Sequence, residues 1–307
     1  MKITDIEGYV LDFPQDPPWG YSKGWVTSAP TLLIEVSTDE GITGWGEAYG
    51  PPEPIHELIQ NLSGPNVTGA DPFETEKIWG MLRHEIRDHS QSGIAMAAIS
   101  AIDIACWDIK GKALNTPVCK LLGGPVHETL HCYASAIRYT KDPDQSDALT
   151  DPVVPARMYL EQGFSAIKLA IGMLDISEDI ERIKSVREFL PSDIDLMIDA
   201  NHAYNSRTAK QLAKQIEDLD IFWLEDPLPQ DNTPGYRSLR ASTSIPLAGG
   251  ETLSGRPAFR DILVEDIFDV LIPETGLAGG LTETKKIFDL IDVFGAGCTP
   301  HGFASII

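Results

Sequence analysis

The sequence predicts an α/β fold in two parts, an N-terminal α+β domain followed by a barrel of parallel strands and helices. Two observations support this prediction. Strands are followed by helices over the first third of the chain, whereas beyond about residue 130 short apolar runs alternate strictly with amphipathic helices. In addition, ionisable residues end successive apolar runs at a nearly regular spacing, and these residues are Lys168, Asp199, Glu225, Glu251, Glu274 and His301.

Three strands are predicted at the start of the chain, namely Ile3–Phe13, Pro30–Thr38 and Gly41–Ala48. The segment between the first two, Pro14–Ala29, is rich in proline, glycine and aromatic residues. We expect this segment to form a long loop, either a lid over a binding site or a packed surface loop.

A long helix is predicted over Ser92–Ala113, because its apolar residues recur mostly at spacings of three or four. It stops before Pro117, which cannot continue a helix. Together with the strands, this helix predicts an α+β domain over residues 1–125, and we assign residues 126–307 to the barrel domain.

Seven barrel strands are predicted, and Ser177, Ser206 and Thr282 are predicted to cap three of the intervening helices. Ionisable residues at most strand ends favour a closed barrel, since an open sheet concentrates its ligands at one switch point. A complete (β/α)₈ barrel has eight strands, so we expect the chain to be truncated before the eighth. The predicted strands are Cys132–Ile137, Ala166–Ala170, Leu196–Asn201, Ile221–Glu225, Pro246–Glu251, Asp269–Pro273 and Gly297–Pro300.

The chain is strongly acidic, with a net charge of −22 over 307 residues. This charge argues against nucleic acids and anionic membranes as partners, because both would repel it. No apolar stretch reaches the ~18 residues of a membrane span. The four cysteines form no C-x-x-C pair and the first residues lack an apolar signal core, so we expect a cytoplasmic protein.

Three carboxylates, those of Asp199, Glu225 and Glu251, end three successive barrel strands and are predicted to converge at the barrel rim. Carboxylate oxygens suit a hard divalent cation, and Mg²⁺ fits a site that leaves positions open for substrate oxygens. Each residue alone has an ordinary explanation, as a turn former, a helix cap or a surface residue. Their regular spacing favours a metal site.

A wider set of motifs resembles the enolase superfamily, and most closely its mandelate racemase and acid-sugar dehydratase branch. The resemblance implies a capping domain over a modified TIM barrel, with Mg²⁺ held by Asp199, Glu225 and Glu251, and it suggests a homo-oligomer. It also implies removal of the proton α to a carboxylate, a reaction in which this superfamily uses a Lys or His base. The motifs are Gly44-Trp45-Gly46-Glu47, Ala101–Asp108, Lys120–Gly124, Ile167-Lys168, Asp199-Ala-Asn201, Glu225-Asp-Pro227, Gly250-Glu251-Thr252, Gly279-Gly280 and Pro300-His301.

Two departures from the family pattern narrow the predicted chemistry. The branch usually carries Lys-x-Lys on the second barrel strand, but here Ala170 replaces the second lysine. We therefore interpret Lys168 as an electrophile near the substrate carboxylate. His301 matches the family's histidine base, and Glu274 stands where the family usually has its aspartate partner. Glutamate can still accept the imidazole N–H and fix the tautomer.

Four further residues are predicted to bind substrate. Asn201 could form a hydrogen bond to the bound carboxylate or to Lys168, and His202 could face the pocket as a second acid or a substrate contact. Tyr21 and Lys23 lie in the predicted lid. For His202, packing or a surface position is the alternative interpretation.

The predicted function is an Mg²⁺-dependent dehydratase of sugar acids that yields a 2-keto-3-deoxy acid, because one base suffices for elimination of water. A racemase or epimerase needs a base on each side of the carbon, and only His301 is an obvious base. A racemase with an unrecognised second base, another enolase-superfamily reaction and a non-catalytic sugar-acid-binding protein are the alternatives.

Overall fold

The computed structural model describes residues 1–141 and 149–302. No helix within these residues combines the length and the apolar character needed to cross a lipid bilayer. The strands are β1 Ile3–Tyr21, β2 Gly24–Thr38, β3 Thr43–Ala48, β4 Ala134–Ile137, β5 Tyr139–Thr140, β6 Ala166–Ala170, β7 Asp195–Asp199, β8 Ile221–Glu225, β9 Leu247–Gly249, β10 Val270–Leu271 and β11 Gly297–Cys298.

The helices follow the same two-part arrangement. A π-helical turn, Ile59–Ser63, joins the first two helices, and a 3₁₀ turn, Glu217–Leu219, follows the eighth. The helices are α1 Pro52–Leu58, α2 Gly64–Val67, α3 Thr75–Glu85, α4 Ile94–Ala113, α5 Val118–Leu121, α6 Val153–Glu161, α7 Ile176–Phe189, α8 Ser206–Ile216, α9 Thr233–Arg240, α10 Gly255–Val264, α11 Thr275–Ala278 and α12 Gly280–Phe294.

The N-terminal part is an antiparallel sheet in the order β3-β2-β1-β5, with helix α4 packed against it. The helix that the periodicity predicted is confirmed, and its apolar face lies in a buried core with strand residues such as Ile34 and Val36. A Cβ atom at Gly46 would lie only 2.0 Å from the carbonyl oxygen of Ala101. Glycine therefore lets β3 approach α4 closely.

The prediction of a loop over Pro14–Ala29 is wrong. Strands β1 and β2 continue through this segment and form a long hairpin that closes with Tyr21 opposite Gly24. The register shifts between Pro14 and Trp19, where the prolines cannot donate ladder hydrogen bonds. The pairing resumes beyond this irregularity, so the high proline and glycine content did not indicate a loop here.

The C-terminal part is a seven-stranded sheet in the order β11-β10-β9-β8-β7-β6-β4, and all its pairings are parallel. This confirms the seven predicted strands in their predicted order. Asp175 and Asn205 cap α7 and α8, in place of the predicted Ser177 and Ser206. The N-cap of α12 is Gly279, three residues before the predicted cap Thr282.

The two parts meet where the hairpin contacts the barrel rim. Trp19 pairs with Thr140 across β1 and β5, so residues beyond the predicted boundary at 125 complete the N-terminal sheet. Ser22, in the hairpin turn, donates a hydrogen bond of 2.7 Å to the backbone oxygen of Asn201. The hairpin is therefore fixed above the carboxyl ends of the barrel strands.

Candidate active site

A cavity of about 880 Å³ lies between the hairpin and the carboxyl ends of the barrel strands. Most of the predicted site residues line it. Three of them do not: Glu225, Glu274 and His202 are absent from its lining. The predicted residues that line the cavity are Tyr21, Lys23, Lys168, Asp199, Asn201, Glu251 and His301.

Lys168 connects two of the predicted metal ligands. Its Nζ lies 3.1 Å from Oδ2 of Asp199 and 2.5 Å from Oε1 of Glu225, and all three side chains are buried. Burial by itself would lower the pKa of Lys168, but the charges of Asp199 and then Glu225 outweigh it, so the pKa is well above its ordinary value. Lys168 is therefore held as a cation, which suits an electrophile and not a base.

Strand register explains this cluster. Ala170, Asp199 and Glu225 are aligned across β6, β7 and β8, and Lys168 lies two residues before Ala170 on the same face of its strand. The remaining carboxylate oxygens are also fixed. Oδ1 of Asp199 accepts a hydrogen bond of 2.9 Å from the backbone N–H of Asn201, and Oε2 of Glu225 accepts one of 2.9 Å from the indole of Trp223.

The three predicted metal ligands influence one another electrostatically. Burial and then the charge of Asp199 raise the pKa of Glu225 to about 7, with a further contribution from Glu251 and an opposing one from Lys168. Buried carboxylates that repel one another in this way are stabilised by a divalent cation, and oxygen donors are those that Mg²⁺ prefers. The donor chemistry of this set therefore fits Mg²⁺.

A second group of potential ligands overlaps with the first. Among the described residues, His202, Asp226 and Glu251 each bring one ligand atom within 4.8 Å of the others. Oδ2 of Asp226 is buried and has no hydrogen-bond partner within residues 1–141 and 149–302. This group includes only one of the three predicted ligands, and its imidazole nitrogen suits transition metals better than Mg²⁺.

His202 contacts a predicted metal ligand and does not line the substrate cavity. Its Nε2 lies 3.5 Å from Oε1 of Glu251, and its Nδ1 lies 3.1 Å from the backbone oxygen of Leu228. The backbone at His202 is left-handed, with φ of 62°. The predicted substrate contact therefore has no support from the position of this side chain.

His301 is oriented by Glu274, as the sequence predicted for this pair. Its Nδ1 lies 2.7 Å from Oε2 of Glu274, and its Nε2 lies 3.2 Å from Oε2 of Glu251. The other oxygen of Glu274 accepts a hydrogen bond of 2.7 Å from the backbone of Gly276, at the start of α11. Burial acts to lower the pKa of His301, but the hydrogen bond with Glu274 and the charge of Glu251 raise it overall.

Two residues of the cavity were missed in the sequence. Tyr49 packs edge-on against the ring of His301, with ring centroids 5.6 Å apart. Arg138 lines the cavity, and its guanidinium carbon lies 3.7 Å from the ring centre of Trp19. Arg138 directly follows the predicted strand Cys132–Ile137, so the rule that selected the other strand-end residues could have found it.

Comparisons with known proteins agree with this architecture. The family model described as Mandelate racemase / muconate lactonizing enzyme, N-terminal domain, matches residues 6–123, and the one described as Enolase C-terminal domain-like matches residues 153–307. The chain belongs to the enolase superfamily. The resemblance to this superfamily that the sequence motifs indicated is thus confirmed over nearly the whole chain.

Among curated relatives of this enolase-superfamily chain, D-galactarolactone cycloisomerase of Agrobacterium fabrum (strain C58) is 36% identical, over 98% of this chain and 78% of the relative. D-galactonate dehydratase of Xanthomonas oryzae pv. oryzae is 32% identical, over 98% of this chain and 75% of the relative. Superfamily members with different overall reactions are therefore similar to this chain to a comparable degree.

Solved structures give the same result. The 3,6-anhydro-D-galactonate cycloisomerase from Zobellia galactanivorans superposes with a TM-score of 0.89 at 35% identity, covering 99% of this chain and 81% of the other. A racemase from Streptomyces coelicolor A3(2), with bound magnesium, superposes with a TM-score of 0.89 at 26% identity, covering 98% and 84%. The superfamily fold therefore includes a relative with magnesium bound.

Proposed function

We propose that this protein is an Mg²⁺-dependent dehydratase of sugar acids. The observation that carries the proposal is the position of His301. His301 lines the cavity, its Nδ1 contacts Oε2 of Glu274, and its Nε2 lies 3.2 Å from Oε2 of Glu251. An imidazole oriented in this way can remove a proton from a carbon atom held in the cavity.

The acidic residues of the site support a metal-assisted reaction. Asp199, Glu225 and Glu251 would hold the ion, which supplies positive charge to stabilise an enolate when it is bound. Lys168 adds a fixed cation beside the same carboxylates. Its ammonium would stabilise negative charge on the substrate carboxylate without itself taking up the α-proton.

Elimination of water from the substrate needs only one base, and His301 can supply it. His301 takes the α-proton, and the C–H bonding pair forms the enolate. That pair returns to form the Cα–Cβ double bond as the β-hydroxyl leaves, and His301 returns the proton to the departing oxygen, releasing water. The resulting enol tautomerises to a 2-keto-3-deoxy acid.

The residue at position 170 argues against a racemase. Ala170 lines the cavity on β6 and cannot take a proton, so the side of the substrate that faces it lacks a base at this position. Racemisation needs proton transfer on both faces of the carbon, whereas elimination needs it on one. The site therefore favours elimination.

A second candidate is a cycloisomerase, because two similar proteins carry that name. Proton abstraction by His301 would be the same, but the leaving oxygen would belong to a ring of the substrate and stay attached to it. The product would then be an isomer of the substrate and not a dehydrated acid.

Incubation of the Mg²⁺-loaded protein in D₂O with a panel of aldonic acids, aldaric acids and their lactones tests the proposal. A dehydratase gives 2-keto acids that have lost one water by mass spectrometry. His301→Asn should reduce the rate by roughly 10²- to 10⁴-fold, which is the usual contribution of a general base, while exposed His89→Asn serves as the matched control.

The outcomes distinguish the candidates. An isomeric product that has lost no water would favour the cycloisomerase, and deuterium in both substrate and epimer would favour a racemase. Absence of product and of α-deuterium exchange with every acid would contradict the proposal. Ligand binding that is unaffected by His301→Asn, without any exchange, would indicate a non-catalytic binding protein.

A further inference from the structure

A second cationic group, the guanidinium of Arg138, lines the cavity that Lys168 also lines. Arg138 follows β4, the strand that pairs with β6, and it lies near Ala170. The guanidinium of Arg182 links these two positions, because its Nη2 donates to the backbone oxygen of Arg138 at 3.0 Å and its Nε to that of Ala170 at 3.4 Å. Arg138 is thus on the side of the cavity where the second lysine of the family pattern is missing.

The side chain of Arg138 is held in place by the hairpin. Its guanidinium stacks on the indole of Trp19 with 3.7 Å between the guanidinium carbon and the ring centre. Trp19 in turn pairs with Thr140, two residues after Arg138. A guanidinium that packs on a flat aromatic surface keeps its N–H groups in its own plane, where they can form two parallel hydrogen bonds with a carboxylate.

The guanidinium of Arg138 is partly removed from solvent. Burial lowers the pKa of Arg138 overall, although Tyr159 and then the charge of Asp199 oppose this effect. A desolvated guanidinium interacts more strongly with an anion than a hydrated one does. Lys23 also lines this cavity and is exposed. In a chain with a net charge of −22, these cations are local attractors for an anionic ligand.

We propose that Arg138 binds the second carboxylate of a dicarboxylic sugar acid, so that aldaric acids are preferred to aldonic acids. This inference rests on the proposed function, in which the first carboxylate lies beside Lys168 and the predicted metal ligands. Lys168 cannot serve the second carboxylate at the same time, because it is held between Asp199 and Glu225. Arg138 would act as a specificity-determining residue, and Trp19 would position it.

Calorimetric titration of the Mg²⁺-loaded protein with a six-carbon aldaric acid and the aldonic acid of the same configuration tests this inference. The unsubstituted protein should bind the aldaric acid more tightly. Arg138→Gln should weaken aldaric acid binding by roughly 10- to 100-fold, the effect expected when hydrogen bonds to a charged group are lost. It should change aldonic acid binding by less than about threefold, because that ligand lacks the second charge.

Two further variants sharpen the comparison. Arg138→Lys keeps the charge but loses the paired hydrogen bonds, so its loss should be intermediate. Arg157→Gln is the matched control, because Arg157 is exposed and stacks on Phe189 at 4.7 Å, outside the lining of the cavity. It should bind both acids as the unsubstituted protein does.

An equal loss of affinity for both acids in Arg138→Gln would overturn the inference, since Arg138 would then serve the shared carboxylate or the fold. So would a tighter affinity of the unsubstituted protein for the aldonic acid. These failures remain distinct from failure of the proposed function, which is measured by formation of 2-keto acids. Conversion of aldonic acids to 2-keto acids without an aldaric preference would leave the dehydratase standing and remove only the assignment to Arg138.

Discussion

At the scale of single residues, the surroundings give chemically identical side chains different properties. Burial and the charge of Asp199 raise the pKa of Glu225. Burial would also raise the pKa of Glu251, but His202 and His301 outweigh it and lower the pKa overall. Glu274 uses one oxygen to cap a short helix and the other to orient His301. Glu225 and Glu251 are thus proposed metal ligands, whereas Glu274 positions His301.

Glu274→Gln should reduce turnover by roughly 10- to 100-fold, because the neutral amide no longer stabilises the imidazolium that forms during proton abstraction. The hydrogen bond from Glu274 raises the pKa of His301, so its loss should lower that pKa. The base is active when neutral, and the acid limb of the pH–rate profile should therefore move to lower pH. Steady-state rates from about pH 5 to 9 measure both effects.

Glu274→Asp provides the control for charge, because it keeps the carboxylate and shortens the side chain by one methylene. It should retain the acid limb of the unsubstituted protein more closely than Glu274→Gln does. An unchanged profile in Glu274→Gln would contradict the role of this glutamate in orienting His301.

At the scale of elements, the barrel strands place their ionisable ends on one rim. Helix α4 contacts both parts of the molecule, since it packs against the N-terminal sheet and against α11 and α12. Asp103 on α4 accepts a hydrogen bond of 2.8 Å from the backbone N–H of Thr282, in the first turn of α12. Its other oxygen has no hydrogen-bond partner in the part of the chain that the structure describes. A carboxylate at a helix N-terminus is favourable, but this one is almost fully buried.

Burial raises the pKa of Asp103 to about 7, against the partial opposition of Thr282 and Lys110. Between its ordinary pKa and about 7, the folded protein holds a proton that the unfolded chain has released. The contribution of this group to stability therefore falls as pH rises through that window. Asp103→Asn can still accept the hydrogen bond from Thr282 and has no charge to bury, so its stability relative to the unsubstituted protein should improve between pH 4 and pH 8.

Urea denaturation of both proteins at several pH values measures this difference. Asp289→Asn is the matched control, because Asp289 lies on α12 and is exposed. A stability difference between Asp103→Asn and the unsubstituted protein that does not change with pH would contradict the raised pKa.

At the scale of the whole molecule, the site depends on both parts of the chain. The hairpin supplies Tyr21 and Lys23 to the cavity, and the barrel supplies the reactive groups below them. Ser22 and the β1–β5 pairing hold the two together. The buried carboxylates of the rim repel one another, so a bound cation should stabilise the assembled protein as a whole.

Mg²⁺ should raise the thermal unfolding midpoint of the protein, because a ligand that binds only the folded state adds about 2.7 kcal/mol at one hundred times its dissociation constant. Removal of the ion with a chelator should reverse the shift. Glu225→Gln should abolish most of it, whereas Glu188→Gln on the exposed surface should keep it. Differential scanning calorimetry with and without Mg²⁺ measures the effect. A full shift in Glu225→Gln would exclude Glu225 as a ligand.

Local patterns predicted the elements well. Strands β6 and β8 begin and end where the apolar runs do, and α4 follows its periodicity closely. The prolines of the hairpin suggest a loop from sequence alone, although pairing between β1 and β2 continues the strands beyond them. The cap of α8 was displaced by one residue, since Asn205 and Ser206 are both good N-caps and only the backbone geometry selects between them.

The sequence by itself determined the family, the order of the barrel strands and the identity of most groups at the rim, because parallel strands bring their carboxyl ends to one side whatever the details of packing. Only the tertiary structure decided which of these groups meet. It placed Lys168 between two carboxylates, His202 in contact with Glu251, and the guanidinium of Arg138 over the ring of Trp19. These contacts depend on side-chain direction and on pairing between residues far apart in the chain, and neither is encoded in local spacing.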